Sequence, residues 1–258
     1  MSELTGKVAL VVGVANKRSL AWAIAQSLDA AGAELVLAYQ GERLKENVEE
    51  LAVTLTRPPM LVPCDVTIDE DIAGLADAIH QRFGGLDMLL HGVAFAPREA
   101  LAEPFSKTSR DAFRVALDIS AYSLVALSNA CAPLMQARGG GSIVTLSYLG
   151  ATRAFPHSNV LGVAKAALEA CVRYLASDLG PMNIRVNAVS AGPVRTLASA
   201  GVSGFTSILG VYRDRAPLRR NIDQQEVADA AMFLLGPGGR GISAEVMMVD
   251  AGYHSVGM

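Results

Sequence analysis

At 258 residues and 27.0 kDa the chain is too long for a module that needs disulfide staples and short enough for one large α/β domain, and 51% hydrophobic against 18% charged residues excludes disorder. A net charge of −3, from 22 basic and 25 acidic residues, supplies no field to draw it onto nucleic acid or an anionic membrane, so neither partner is expected. Three cysteines, Cys64, Cys131 and Cys171, show no C-x-x-C spacing, which argues against a disulfide framework or a zinc site, so no metal is expected and a reducing cytoplasm fits.

The first predicted element is a strand over Val8 to Val14. It is apolar, but Gly13 interrupts it, Asn16-Lys17-Arg18 follows and no cleavage site is offered, so it does not read as a signal peptide. A helix then opens at Ser19 and closes at Gly32, and strands follow over Glu34 to Tyr39 and Met60 to Cys64. Asp69 opens the next helix and Gly84-Gly85 closes it before a strand over Met88 to Val93. Ile119 to Ala137 is uncharged and long enough to raise a membrane span, yet Ser120, Ser123, Ser128, Asn129, Pro133 and Gln136 favour a helix covered by protein, a second subunit included. Strands over Ser142 to Leu146, Ile184 to Val189 and Val246 to Val249 complete a set of seven.

Most of these strands are continuous apolar runs, the pattern that burial of both sheet faces by crossover helices demands. The expected fold is therefore α/β, a doubly wound parallel seven-stranded sheet with helices on both faces. With no linker or repeat in view, residues 1–258 read as a single nucleotide-binding domain, and the Gly-, Ser- and Ala-rich stretch from Leu197 to Tyr212 reads as a mobile lid at about 195–215.

In such a sheet the ligand crevice lies beyond the carboxyl ends of the strands. The first strand ends in Gly13-Val14-Ala15-Asn16-Lys17-Arg18-Ser19, a glycine turn, helix start and hydroxyl that suit a pyrophosphate, although it is not G-x-G-x-x-G and Ser19 would serve equally as a plain helix cap. The second ends at Gln40, which can bond a ribose 2′-hydroxyl but brings no charge for a 2′-phosphate, favouring NADH over NADPH; a solvated strand end is the bland alternative. Asp65 and the backbone of Val66, after the third strand, suit an adenine edge, or Asp65 caps a turn before Thr67. The fourth ends in His91-Gly92-Val93-Ala94-Phe95-Ala96-Pro97, small residues that let a nicotinamide approach, with His91 read as a satisfied core histidine. The fifth delivers Leu146-Ser147-Tyr148, and the helix after it carries Lys165 in an otherwise apolar run from Val160 to Leu168, where a buried charge needs a partner.

These segments, together with Asn187 to Thr196, resemble the short-chain dehydrogenase/reductase superfamily and, within it, the enoyl-(acyl carrier protein) reductase family, across nearly the whole chain. The resemblance implies a Rossmann-like fold and an NADH site formed by Gly13, Ser19, Leu20, Gln40, Asp65, Val66, Val93, Lys165, Val194, Arg195 and Thr196, with Ala96 beside the acyl chain and Tyr148 as the first family tyrosine. It also implies a cytoplasmic homotetramer acting on enoyl thioesters in fatty-acid elongation. Two departures stand out. The family's second tyrosine, seven residues before the lysine, is Ser158 here, and the stretch from Leu197 to Tyr212 holds no charge, cations returning only at Arg213, Arg215, Arg219 and Arg220.

The expected activity is NADH-dependent reduction of trans-2-enoyl thioesters, on acyl carrier protein or CoA, with Tyr148, Ser158 and Lys165 as catalytic residues. Ser158 removes a donor to the thioester oxygen and slows the reaction without abolishing it, because the enolate can take its carbon proton from water. A non-catalytic NADH-binding paralogue and a carbonyl-reducing short-chain dehydrogenase are the alternatives.

Overall fold

Seven strands form one sheet: β1 Val8–Val12, β2 Glu34–Tyr39, β3 Met60–Pro63, β4 Met88–His91, β5 Gly141–Ser147, β6 Ile184–Ala191 and β7 Val246–Val249. Their order is β3-β2-β1-β4-β5-β6-β7 and every neighbouring pair is parallel. The computed structural model describes residues 4 to 196 and 204 to 257. All seven expected strands are present; β1 and β4 stop two residues early, at Val12 and His91, whereas β6 runs on to Ala191.

Nine helices flank the sheet among the described residues: α1 Leu20–Ala30, α2 Gly41–Ala52, α3 Asp69–Phe83, α4 Arg98–Ala102, α5 Arg110–Leu117, α6 Ser123–Gln136, α7 Asn159–Leu179, α8 Phe205–Arg215 and α9 Gln224–Leu235. Helix α3 shows how the sequence sets an element's ends, with Asp69, Glu70 and Asp71 in its first turn and His80 and Arg82 in its last, each sign at the favourable pole of the helix dipole.

The continuous apolar strands resolve into two cores by simple alternation. Ala9 and Val11 of β1, Leu35 and Leu37 of β2 and Leu90 of β4 pack with Trp22, Ile24 and Leu28 of α1 and with Val227, Ala231 and Leu234 of α9. Their neighbours Val8, Leu10, Val36 and Leu89 point the other way, onto Ile72 and Ile79 of α3, Leu124 and Leu127 of α6 and Leu168 and Val172 of α7. Strands such as β1 are thus apolar at every position because each of their faces has its own helical cover.

The uncharged stretch lies inside a longer helical run, Arg110–Gln136, in which a π-helical turn at Asp118–Tyr122 joins α5 to α6. This run is long and apolar enough to cross a membrane by composition, but half of its most apolar window is buried in the protein, with Leu124, Leu127, Cys131 and Met135 in the second core. Of the stretch expected to form a lid, residues 197 to 203 lie outside the described residues, and from Phe205 to Arg215 the chain is the helix α8.

Candidate active site

The carboxyl ends of all the strands lie on one edge, and the order of the sheet reverses between β1 and β4, where the crevice of a doubly wound fold opens. Gly13 makes that crevice possible. Its φ is +106°, and a Cβ there would stand 2.4 Å from the carbonyl oxygen of Gly92, so the ends of β1 and β4 come together only without a side chain. Ser19 occupies the N-cap position of α1 but does not cap it: its hydroxyl donates to the Asn16 carbonyl at 2.6 Å. Leu20 packs, partly buried, against the α1 side of the core, and Val66 against the other side.

Gln40 and Asp65, from neighbouring strand ends, meet directly: the Gln40 amide donates to Asp65 Oδ2 at 2.9 Å. Asp65 Oδ1 also accepts from the Thr67 N–H and hydroxyl, so the turn-forming and ligand-facing readings of this residue are compatible. Partial burial pushes its carboxyl up, but those bonds from Gln40 and Thr67 more than offset it and hold it below the ordinary value.

Lys165 is the centre of the site. It is 5% exposed on α7, and its Nζ donates to the Leu146 carbonyl at 2.8 Å and the Val93 carbonyl at 3.3 Å, clipping the end of β5 to the end of β4. An ammonium has three N–H donors, so one remains for a ligand. Burial lowers its pKa to about 7, with Glu169 one turn along the helix working in the opposite direction. His91 is fully buried, its ring nitrogens paired with Thr145 Oγ1 and Ser123 Oγ at 2.8 Å each, and burial together with the Lys165 charge lowers its pKa to about 3. It is the satisfied core histidine expected, neutral and tying β4 to β5 and α6.

Tyr148 follows β5 in extended conformation, its ring lying flat against Gly150: a Cβ on that glycine would stand 2.3 Å from the ring and 2.5 Å from the hydroxyl. The hydroxyl is buried without a hydrogen-bond partner. Burial raises the phenol's pKa, and the Ser158 hydroxyl nearby pulls it back in part. Ser158 sits at the N-cap of α7 between two residues in left-handed conformation, His157 at φ 61° and Asn159 at φ 41°; the Asn159 amide secures that turn by donating to the carbonyls of Ala100, Leu101 and Glu103.

Ala96 packs against Ala100, Ala112, Ala116, Val160 and Ala164, an apolar wall of small residues beside the crevice. The π-helical turn holds the loop before it, since Ser120 Oγ both donates to the Phe95 carbonyl and accepts from its N–H at 2.9 Å. Val194 and Arg195 line a cleft of about 570 Å³ under α8 that includes neither Tyr148 nor Lys165. Thr196 ends the first described segment next to them. Among the described residues no group of three His, Cys, Asp or Glu side chains is placed to hold a metal.

The family model described as enoyl-(acyl carrier protein) reductase matches residues 13–254. The chain belongs to that family. It is 52% identical to the NADH enoyl-acyl-carrier-protein reductase FabI of Nostoc sp. over the full length of both chains, and 46% identical to the FabI of Staphylococcus aureus named for NADPH, over 99% of this chain. In structure it resembles the Bacillus cereus enoyl-acyl carrier protein reductase with NADP+ and an indole naphthyridinone, with TM-score 0.97 and 50% identity over all of both chains, and the Anaplasma phagocytophilum reductase in complex with NAD, with TM-score 0.95 and 46% identity over 100% of this chain and 98% of that one. Membership of the enoyl reductase family favours neither the non-catalytic nor the carbonyl-reducing alternative. The site's own features fit a dinucleotide: a strand junction stripped of Cβ atoms, a Gln40–Asp65 pair across the ends of β2 and β3, and a buried ammonium with one unspent donor.

Four residues of this site escape a reading of the sequence. Glu169 carried a signal, as an acid one helical turn from a lysine in an apolar helix. Ser120, Ser123 and Asn159 carried none, because each acts on a partner at least 25 residues distant in the chain.

Proposed function

We propose that this enoyl reductase takes NADH and reduces trans-2-enoyl thioesters carried on acyl carrier protein, with the CoA thioester as a smaller substrate of the same chemistry, in fatty-acid elongation. The observation that carries the proposal is Lys165, an ammonium sealed at the junction of β4 and β5 and held by two carbonyls alone. Its remaining donor suits a pair of ribose hydroxyls, and its charge suits a dinucleotide's phosphates. Gly13, Ser19 and Leu20 would receive the pyrophosphate end, Gln40, Asp65 and Val66 the adenosine, and Val93 with Val194, Arg195 and Thr196 the nicotinamide end.

When bound, NADH supplies the hydride that reaches the β-carbon of the enoyl group. The protein's part is to stabilise the negative charge that then collects on the thioester oxygen. Tyr148 is the direct donor in this reading, its hydroxyl having no partner in regular hydrogen-bond geometry among the described residues. Ser158, too short to replace a phenol, contributes through a bridging water. The wall formed by Ala96, Val160 and Ala164 receives the acyl chain and keeps water from the reacting carbons.

On this reading residues 1–258 work as one nucleotide-binding domain in the cytoplasm. The helix α8 covers the crevice as a lid, with Arg215 in its last turn facing an acidic carrier protein beside Arg213, which is paired with Asp214. Apolar side chains left exposed on the helices, among them Phe113, Tyr122, Tyr174 and Phe233, support self-association, and the family resemblance makes the assembly a homotetramer. The test is loss of NADH absorbance with a short trans-2-enoyl thioester as substrate. Turnover that depends on Tyr148 supports the assignment, whereas tight NADH binding with no turnover of any enoyl thioester removes it.

A further inference from the structure

Glu169 is the one charged side chain near Lys165 that neither the sequence motifs nor the proposed reaction uses. It is 7% exposed on α7, four residues after Lys165 and therefore on the same face of the helix. Its Oε1 accepts a 2.5 Å hydrogen bond from Ser147 Oγ. Ser147 is the last residue of β5; the residue before it, Leu146, gives its carbonyl to Lys165, and the residue after it is Tyr148. One short circuit thus joins a strand end to two side chains of a single helix turn.

A buried carboxylate is costly unless it is paired, and buried ammonium groups carry the same penalty. Here each is held by neutral groups: Lys165 by two carbonyls, Glu169 by one hydroxyl. The surrounding elements add one further charge, on the Glu169 side. From β4 comes His91, neutral in its bonds to Thr145 and Ser123; from β5 come Ser147 and the neutral phenol of Tyr148; from α7 itself comes Arg173, whose Nη1 is engaged by the Glu169 backbone carbonyl. Glu169 is therefore the opposing charge that acts on Lys165, while Glu169 itself is held by the Ser147 hydroxyl and by the charges of Arg173 and Lys165.

We propose that Glu169 is a positioning residue for the enoyl reductase reaction: anchored by Ser147, its carboxylate supplies the countercharge that keeps Lys165 an ammonium, and so able to grip the ribose of NADH. Burial alone drives the Lys165 amine toward its neutral form near physiological pH, and Glu169 opposes this. Burial also raises the carboxyl of Glu169, and the Ser147 hydroxyl, with the charges of Arg173 and Lys165, opposes that. Ser147 thereby acts on Lys165 at one remove, through the carboxylate it stabilises.

The inference rests on the assignment of Lys165 to the cofactor, and NADH binding tests it without any substrate. Affinity of the full-length protein for NADH is measured by fluorescence from pH 5.5 to 9 for the parent, Glu169→Gln, Glu169→Asp and Ser147→Ala. In the parent, binding should weaken as the pH rises through about 7, where Lys165 loses its proton. Glu169→Gln should move that limb to lower pH by about one unit, weakening binding at pH 7 up to ~10-fold while leaving it near parental at pH 5.5. Glu169→Asp, which keeps the charge, should hold the limb close to its parental place, and Ser147→Ala should move it in the same direction as Glu169→Gln by less. A profile for Glu169→Gln that is weaker by one constant factor at every pH shows a merely structural role and overturns the proposal. If that variant does not fold, a Ser147→Ala limb superimposed on the parent's overturns it equally. A limb that moves as expected in a protein that turns over no enoyl thioester sustains the role of Glu169 and removes the assigned reaction instead.

Discussion

Tyr148→Phe is the substitution in which stability and activity should move in opposite directions. Among the described residues the buried Tyr148 hydroxyl has no partner in regular hydrogen-bond geometry, with only the Ser158 hydroxyl near it, so the folded protein carries most of its desolvation without repayment. An unsatisfied buried hydroxyl costs about 1–3 kcal/mol, and deleting it deprives at most the half-buried Ser158 hydroxyl of a neighbour. The ring itself stays, supported by the face of Gly150 that has no room even for a methyl group. Removal of the oxygen should therefore stabilise the NADH-free protein by about 1–3 kcal/mol, each kcal/mol raising Tm by about 2–4 °C in a chain of this size. The same deletion removes the direct donor to the thioester oxygen and should lower kcat by ~10²- to 10³-fold, with the affinity for NADH unchanged. Thermal unfolding at a fixed protomer concentration and steady-state turnover of an enoyl thioester read the two effects. A loss of 1 kcal/mol or more on Tyr148→Phe would refute the reasoning, since it would mean that the hydroxyl is satisfied in the folded protein. Unchanged kcat would refute the catalytic half alone.

Ser158→Tyr should restore a phenol beside the crevice and raise turnover about 10- to 1000-fold; in a double-mutant cycle Tyr148→Phe should then cost less than it does in the parent, and additive effects would separate the two positions. Lys165→Met should weaken NADH binding in titration, and it should remove one source of pH dependence from the stability of the cofactor-free protein. The sign of its pH dependence is fixed: the folded pKa of about 7 lies below the ordinary 10.5, so the penalty of the buried ammonium is complete below pH 7 and fades as the pH rises toward 10.5. The stability of the parent relative to the variant should thus rise between pH 7 and pH 10, and a relative stability that falls over that range contradicts it. NADH should bind more tightly than NADPH, because Gln40, paired with Asp65, offers no charge to a 2′-phosphate; tighter NADPH binding would implicate Arg43. Light scattering at micromolar concentration should return four times the chain mass, and a value of 27.0 kDa would remove the tetramer.

Strand positions were legible in the sequence because a parallel sheet covered on both faces demands runs such as Ala9-Leu10-Val11-Val12, and nothing else in a soluble α/β chain needs them so regularly. The strands' carboxyl ends were legible to within about two residues for the same reason, which singled out Gly13, Gln40, Asp65 and Tyr148 as candidates, while Lys165 stood out as a charge in an apolar helix. What each strand residue faces was not legible: Leu10 and Val11 look alike in sequence, and only the cover of α3, α6 and α7 on one side and α1 and α9 on the other divides them. The partners of the site residues belong to the tertiary structure as well. Ser19 stands where a helix cap is expected, yet its hydroxyl turns back to Asn16. Lys165 needed a partner, but that its acceptors are the carbonyls of Val93 and Leu146, 72 and 19 residues away, follows only from the pairing of β4 with β5. The sequence determined which residues reach the edge of the sheet because period and burial are local properties. The tertiary structure decided which hydrogen bonds and charges they share there, because those depend on distances between segments that no local pattern encodes.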